Sequence, residues 1–245
     1  MLENKTTIIF DLDGTLIDSI GIWNEVDNLL ISMLSNNTIH INNIGTYRDN
    51  YLKKVNSEDI YLEYCKHLKE ITLSSKSEKE ILQLRWDISD YLIKHKVKYK
   101  AKAATALKLL KEKGYTLVLA TTTTRIQLDA YINDNENIKS KAPLNEIFSL
   151  MLSKEDVKNK KPHKEIYDKI MTNLNIKPEE CLVIEDSLIG VEAAKNANMD
   201  VAVIYDKYSD NVREEINRLS DYQFSDYYEL IREIKKADNK IYLMK

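Results

Sequence analysis

The chain alternates short apolar runs with longer amphipathic stretches. Four runs rich in β-branched and aliphatic residues each stop at a polar position, which predicts buried strands that end in polar loops. These predicted strands cover residues 6–10, 117–120, 182–184 and 201–204, and a weaker fifth run covers 148–152. Strands that alternate with helices favour right-handed crossovers and a parallel sheet covered on both faces. The sequence therefore predicts an α/β fold with a Rossmann-like core.

Three of the intervening helical patterns stop at residues that tolerate a left-handed backbone. Residues 103–113 end at Gly114, residues 164–174 at Asn175 and residues 190–197 at Asn198. Gly and then Asn take this conformation most readily at a helix C-terminus. Pro162 is expected at the first position of the helix that follows it.

One long region lacks any strand pattern. From about residue 20 to residue 96 the sequence shows only amphipathic helical patterns, over 23–34, 60–68 and 77–93. A connection between two parallel strands needs far less helix than this. We therefore expect an inserted α-helical cap domain at 19–96, and an α/β core domain formed by 1–18 and 97–245.

The composition is that of a soluble globular protein and argues against some partners. The hydrophobic fraction is 43%, the charged fraction is 31% and the formal net charge is −3. This balance gives no general attraction to nucleic acids or acidic membranes, so we expect neither as a partner. Cys65 and Cys181 lie too far apart for a metal-type spacing, and a disulfide framework is not expected. We expect neither a secretory signal nor a membrane span, and hence a cytoplasmic protein.

Carboxylates follow two of the predicted strands. Asp11 and Asp13 come directly after the first strand, and Gly14 then permits a tight turn. Glu185 and Asp186 follow a later strand. If the two strands are neighbours, up to four carboxylates converge, and like charges about 4 Å apart repel by roughly 4 kcal/mol per pair. Such an oxygen-only ligand set suits Mg²⁺, with one carboxylate as a nucleophile on phosphorus and another as acid/base.

Phosphoryl transfer also requires donors for the phosphoryl oxygens. Thr121, at the end of the second strand, offers a hydroxyl, and backbone N–H groups from Thr122 onward offer donors at a helix start. Residues 122–124 are equally suited to capping that helix. Lys161 offers a cation, although its own pattern does not distinguish it from the other lysines of the cluster 158–161.

In order along the chain, these residues resemble the four motifs of the haloacid dehalogenase superfamily. The matching segments are Asp11-Leu12-Asp13-Gly14-Thr15, Thr121, Lys161-Pro162, and Glu185-Asp186-Ser187 with Gly190. More narrowly, they are similar to the phosphatase and β-phosphoglucomutase-like branch, which carries a helical cap after the first motif. Lys160 and Lys164 depart from the family pattern, where Gly and Pro are common.

The resemblance implies a role for each matching residue. It implies that Asp11 is the nucleophile and that Asp13 is the acid/base, which also binds the metal through its carbonyl. Thr121 and Lys161 would hold the phosphoryl group, and Asp186 with Glu185 would bind Mg²⁺. It implies a Mg²⁺-dependent phosphatase that hydrolyses a small phosphate monoester, such as a sugar phosphate, through an aspartyl-phosphate intermediate. We expect this enzyme to be a monomer.

Two other functions stay open at this point. A β-phosphoglucomutase-like phosphomutase is one, although such relatives typically carry His where this chain has Trp23. A non-catalytic phosphoacceptor or regulatory protein is the other, and the intact Asp13 argues against it. In the predicted cap, Arg48 lies in a Gly-x-x-Arg segment that resembles the phosphate-binding arginine of mutase caps. A surface arginine is the alternative interpretation.

Overall fold

The structure is a computed structural model that describes residues 1–243, with side chains described as far as residue 236. These residues form two compact units. One contains residues 1–18 together with the chain from residue 97 onward, and the other contains Ser19–Lys96. The first is called the α/β unit and the second the helical unit.

A single parallel sheet forms the centre of the α/β unit. Its strands are β1 Thr7–Phe10, β2 Thr116–Ala120, β3 Leu150–Leu152, β4 Cys181–Glu185, β5 Asp200–Ile204 and β6 Tyr222–Phe224. They lie in the order β3-β2-β1-β4-β5-β6, and every neighbouring pair is parallel. The predicted α/β class with a Rossmann-like parallel sheet is confirmed. The edge strand β6 was not predicted, because three residues are too few to show an alternating pattern.

Four helices form the helical unit: α1 Ile22–Leu34, α2 Ile44–Leu52, α3 Ile60–Thr72 and α4 Glu78–His95. Their apolar faces share one core that includes Leu30, Tyr64, Leu68 and Ile81. Ser77 accepts from the backbone N–H of Glu80, whose side chain binds back to Ser77, so a capping box sets the start of α4. The sequence prediction missed α2, which has a weak apolar face and buries only Ile44.

The helices of the α/β unit are α5 Ala103–Glu112, α6 Arg125–Asn133, α7 Glu136–Lys141, α8 Leu144–Ile147, α9 Glu165–Leu174, α10 Leu188–Asn196, α11 Arg213–Leu219 and α12 Tyr227–Leu243. Within the described part of the chain, no helix is both long and apolar enough to cross a membrane. Ile9 and Val183 pack in one core with side chains of α9, α10 and α11. Ile8 and Phe10 point to the opposite face and are also fully buried. Burial of alternate residues on both sides explains the unbroken apolar runs of the central strands.

The structure corrects two helix starts. Pro162 lies in a turn, and α9 begins only at Glu165, so the expected place of Pro162 at the first helical position is wrong. Helix α10 begins earlier than predicted, because the Ser187 side chain accepts from the Gly190 N–H and caps the helix there. The left-handed backbone predicted at the three helix C-termini is confirmed. The φ angles are 84° at Gly114, 51° at Asn175 and 57° at Asn198.

Candidate active site

The carboxyl ends of β1 and β4 lie side by side. Phe10 is paired with Ile184, and the backbone N–H of Asp11 donates to the carbonyl of Ile184 at 3.0 Å. Strand β2 borders β1 on its other side. The strands whose ends carry Asp11, Thr121 and Glu185 are therefore neighbours, and the residues that follow them share one edge of the sheet.

Lys161 joins these strand ends. Its Nζ lies 2.9 Å from Asp11 Oδ1, 2.6 Å from Glu185 Oε1 and 2.9 Å from the carbonyl oxygen of Ala120. The side chain is 2% exposed, whereas the neighbouring Lys160 is exposed to solvent. The structure thus distinguishes Lys161 from the other lysines of its cluster, which its sequence pattern alone did not.

Three carboxylates lie close together at this edge of the sheet. One oxygen from each of Asp11, Glu185 and Asp186 lies within 4.8 Å of the other two, and all three residues are buried. Buried oxygen ligands of this number and charge fit Mg²⁺, which prefers carboxylates and keeps several waters. The Asp13 carboxylate lies outside this group, so of the four carboxylates expected to converge, three do.

Burial and mutual repulsion raise the proton affinity of this cluster. Burial raises the pKa of Asp11 to about 8, although Lys161 acts in the opposite direction. Burial and then the Glu185 charge raise the pKa of Asp186 well above its usual range. Burial by itself would lower the pKa of Lys161, but Asp11 and Glu185 hold it well above its usual value. The carboxylates therefore need either protons or a cation.

Both oxygens of Glu185 are engaged. Oε1 binds Lys161, and Oε2 accepts from the N–H groups of Asp186 and Ser187, at 3.1 and 3.3 Å, and from the Ser187 hydroxyl at 3.0 Å. A Cβ placed on Gly190 would lie 1.8 Å from Oε1, so α10 must carry glycine at this position for Glu185 to fit. This geometry suits Glu185 to holding Lys161 in place.

Asp186 is oriented by a residue of the loop after β1. The Thr15 hydroxyl donates to Asp186 Oδ1 at 2.6 Å, and Tyr227 Oη donates to the Thr15 carbonyl at 3.1 Å. Thr15 belongs to the first motif, but Tyr227 lies on α12 and no motif in the sequence pointed to it. Only the packing of α12 brings its hydroxyl to this loop.

The loop after β2 contacts Asp13. Thr121 Oγ1 donates to Thr123 Oγ1 at 3.0 Å, and Thr123 Oγ1 donates in turn to Asp13 Oδ2. Helix capping was one sequence interpretation for residues 122–124. It holds for Thr124, which accepts from the Gln127 N–H at 3.3 Å, but not for Thr123. Thr122 is exposed, and its predicted phosphate contact stays a prediction.

Arg48 lies on α2 and forms ion pairs inside the helical unit. Its Nη1 is 2.9 Å from Asp27 Oδ2 and its Nε is 3.1 Å from Asp49 Oδ1. The side chain is 13% exposed, so the alternative of a simple surface arginine does not describe it. Its predicted contact with a substrate phosphate stays a prediction.

A parallel α/β sheet with a buried Asp–Lys pair and a carboxylate cluster at one edge is typical of enzymes that transfer phosphoryl groups. The family model of the haloacid dehalogenase-like hydrolases matches residues 8–204 of this sequence. The chain belongs to that family. The predicted family, and the prediction of a phosphatase-type hydrolase within it, are confirmed at this level.

The relatives span nearly the whole chain. A phosphoglycolate phosphatase from Psychrobacter arcticus is 26% identical over 235 residues, which is 96% of this chain and 97% of the relative. Among solved structures, a candidate β-phosphoglucomutase from Thermotoga maritima has a TM-score of 0.75 at 23% identity, over 94% of this chain and 98% of that one. CbbY from Rhodobacter sphaeroides in complex with phosphate has a TM-score of 0.68 at 23% identity, over 92% and 96%. At these identities the structures establish the shared fold.

Proposed function

We propose that the chain is a Mg²⁺-dependent phosphatase that hydrolyses a small phosphate monoester through a phosphorylated Asp11. The observation that carries this proposal is the placement of Asp11 Oδ1 against Lys161 Nζ, beside the carboxylates of Glu185 and Asp186. A nucleophile and a cation are thus held together at the edge of the sheet where ligands bind in open α/β folds.

The first step transfers the phosphoryl group to the enzyme. A carboxylate oxygen of Asp11 attacks phosphorus, and the bond between phosphorus and the ester oxygen breaks. Asp13 gives its proton to the departing alkoxide, so that the alcohol leaves as ROH. Lys161 neutralises part of the charge on the phosphoryl oxygens, and backbone N–H groups that follow Thr121 donate hydrogen bonds to them. The Thr121 hydroxyl donates to Thr123 in the structure, so its phosphate contact stays a prediction.

The second step returns the enzyme to its starting state. Asp13, now ionised, takes a proton from a water molecule, whose oxygen attacks phosphorus. The bond between phosphorus and Asp11 breaks, which releases inorganic phosphate and restores the Asp11 carboxylate. Asp13 is again protonated, so it serves as acid in one step and as base in the other.

Asp11, Asp186 and the backbone carbonyl of Asp13 would hold the Mg²⁺ ion, with Glu185 beside them. When bound, a divalent cation neutralises the clustered carboxylates and the incoming phosphate, which would otherwise repel Asp11. Burial of the three carboxylates, and the raised pKa of Asp11, support this ligand set.

Small phosphorylated metabolites are the proposed substrates. The curated relative is a phosphoglycolate phosphatase and CbbY binds phosphate, which supports a phosphate monoester in this site. A phosphomutase is the second candidate, because the fold is similar to that of the candidate β-phosphoglucomutase. Trp23 argues against it, since its ring packs on Trp86 and the Arg85 guanidinium and its indole N–H cannot act as a general acid or base. We also propose that the protein is a cytoplasmic monomer and has no nucleic-acid partner.

A screen of metabolite monoesters with Mg²⁺ tests the proposal, with phosphate release as the readout. We expect turnover that disappears with EDTA and in Asp11→Asn, while Asp129→Asn, an exposed aspartate on α6, retains it. Isomerised sugar phosphate in place of free phosphate would indicate the mutase. Wild-type rates in Asp11→Asn would show that the assigned nucleophile is wrong.

A further inference from the structure

Thr123 is a buried residue that has no role in the two proposed catalytic steps. It is 8% exposed and lies two residues after Thr121, at the carboxyl end of β2. Its hydroxyl binds Asp13 across 110 residues of chain, so the contact exists only in the folded α/β unit. None of the four motifs includes this position.

The hydrogen bonds of the loop after β2 form a chain of donors that ends at Asp13. The Thr123 N–H donates to Thr121 Oγ1 at 3.1 Å, and the Thr121 hydroxyl donates to Thr123 Oγ1 at 3.0 Å. Because the Thr123 oxygen already accepts the Thr121 proton, its own proton is directed at Asp13 Oδ2. Two buried hydroxyls and one backbone group therefore fix the direction of the bond that reaches Asp13.

We propose that Thr123 is a positioning residue that holds the carboxyl group of the acid/base Asp13 through its Oδ2 oxygen. This inference rests on the proposed function. Because Oδ2 accepts from Thr123, the loop after β2 sets the orientation of the Asp13 carboxyl group. In this orientation the Asp13 carboxyl group gives its proton to the departing alkoxide and takes a proton from water in the second step.

The leaving group of the substrate distinguishes a role of Thr123 in proton transfer from a role in folding or phosphate binding. An alkyl phosphate releases a strongly basic alkoxide that requires a proton, whereas 4-nitrophenyl phosphate releases a stable phenolate that does not. The kinetic constant kcat/KM covers the events up to loss of the leaving group. A defect in the acid therefore lowers kcat/KM for alkyl phosphates selectively.

The test compares Thr123→Val, Thr123→Ser and Thr7→Val with both substrate types. Val keeps the shape of Thr and removes the hydroxyl, Ser keeps the hydroxyl, and Thr7 is a buried threonine at the opposite end of β1. In Thr123→Val we expect kcat/KM for alkyl phosphates to fall by roughly ten- to a hundredfold, part of what acid–base catalysis contributes. With 4-nitrophenyl phosphate we expect a small loss, and Thr123→Ser should restore most of the alkyl phosphate rate.

Equal losses with both substrates, or no loss in an active enzyme, would overturn the assignment of Thr123 and leave the proposed function intact. A rise in KM with kcat unchanged would do the same, since it would mean a phosphate contact. Wild-type protein that releases phosphate from no monoester would overturn the proposed function and this inference together. Thr7→Val is expected to match the wild type with both substrates.

Discussion

Both units bury ionised side chains, but they balance the charges differently. In the α/β unit, the carboxylates of Asp11, Glu185 and Asp186 lie together, and the Lys161 ammonium pairs with the first two. In the helical unit, Asp27 is fully buried and binds two guanidinium groups, Arg48 at 2.9 Å and Arg85 at 2.9 Å.

The helical cluster is complete as it stands. Asp49 pairs with Arg48, so two carboxylates face two guanidinium groups. The Arg85 guanidinium also lies 5.1, 5.0 and 5.9 Å from the ring centroids of Trp23, Tyr61 and Trp86. Its Nη1 has no acceptor among the residues described, and the surrounding rings supply the favourable contact.

Among the described residues, the ion pairs of the α/β cluster leave a negative excess. Lys161 pairs with Asp11 and Glu185, while Lys100, which acts on Asp186, is paired with Asp206. A buried charge without compensation costs several kcal/mol in a protein interior, by order of magnitude. In the helical cluster the opposite charges balance one another, whereas the α/β cluster keeps a charge that a ligand could neutralise. The imbalance is therefore the feature that supports the α/β cluster as the proposed site.

Removal of Lys161 is expected to have the largest effect. In Lys161→Met, Asp11 and Glu185 lose the ammonium group that pairs with both, so we expect activity to fall by on the order of 10²–10³-fold. The free energy of unfolding should fall by about 3–5 kcal/mol at neutral pH. Lys160→Met, at the exposed neighbouring position, should change neither quantity appreciably. Phosphate release and denaturant melts measure the two effects, and equal behaviour of the two variants would contradict the comparison.

Removal of Arg85 should affect stability alone. Arg85→Met leaves Asp27 with Arg48 as its remaining partner, so we expect a loss of about 3 kcal/mol in unfolding free energy. The double variant Asp27→Leu with Arg85→Met should lose less than the two single losses together. Lys79→Met on the exposed side of α4 is the control. A loss of kcat in folded Arg85→Met, with stability unchanged, would show that the helical cluster is functional.

The metal-free protein should lose stability as the pH rises. The pKa of Asp11 in the folded protein is about 8, above the usual 3.8, so between these values the folded state binds more protons than the unfolded state. The free energy of unfolding therefore falls over this range and is highest at its acid end. Mg²⁺ should remove most of the loss. Thermal melts in EDTA and in Mg²⁺ measure it, and a metal-free Tm that rises toward pH 8 would contradict the assignment.

The smallest effect is expected at Tyr227. Tyr227→Phe removes the hydrogen bond to the Thr15 carbonyl, which should cost about 1 kcal/mol. Since Thr15 orients Asp186, we also expect a modest rise in the Mg²⁺ concentration that gives half-maximal thermal stabilisation. Tyr228→Phe, at the exposed neighbouring position, should show neither change. An unchanged Mg²⁺ requirement in Tyr227→Phe would limit this residue to packing.

The sequence determined the strands of the central sheet and the polar residues at their ends. The apolar runs of β1, β2, β4 and β5 are buried on both faces, so their pattern is local and strong. Asp11 and Asp186 could be chosen because each follows a predicted strand, whereas Lys161 could be chosen only through its match to the family motif. The short edge strand β6 and the weakly amphipathic α2 carried too little local signal to be predicted.

Tertiary structure alone decided the contacts between distant side chains. Thr123 binds Asp13, Tyr227 binds Thr15 and Arg85 binds Asp27 across 110, 212 and 58 residues of chain, and nothing in the local pattern of either partner specifies such a contact. Local hydrophobic periodicity fixes which face of an element is buried, whereas the partner of a buried polar group depends on how the elements pack.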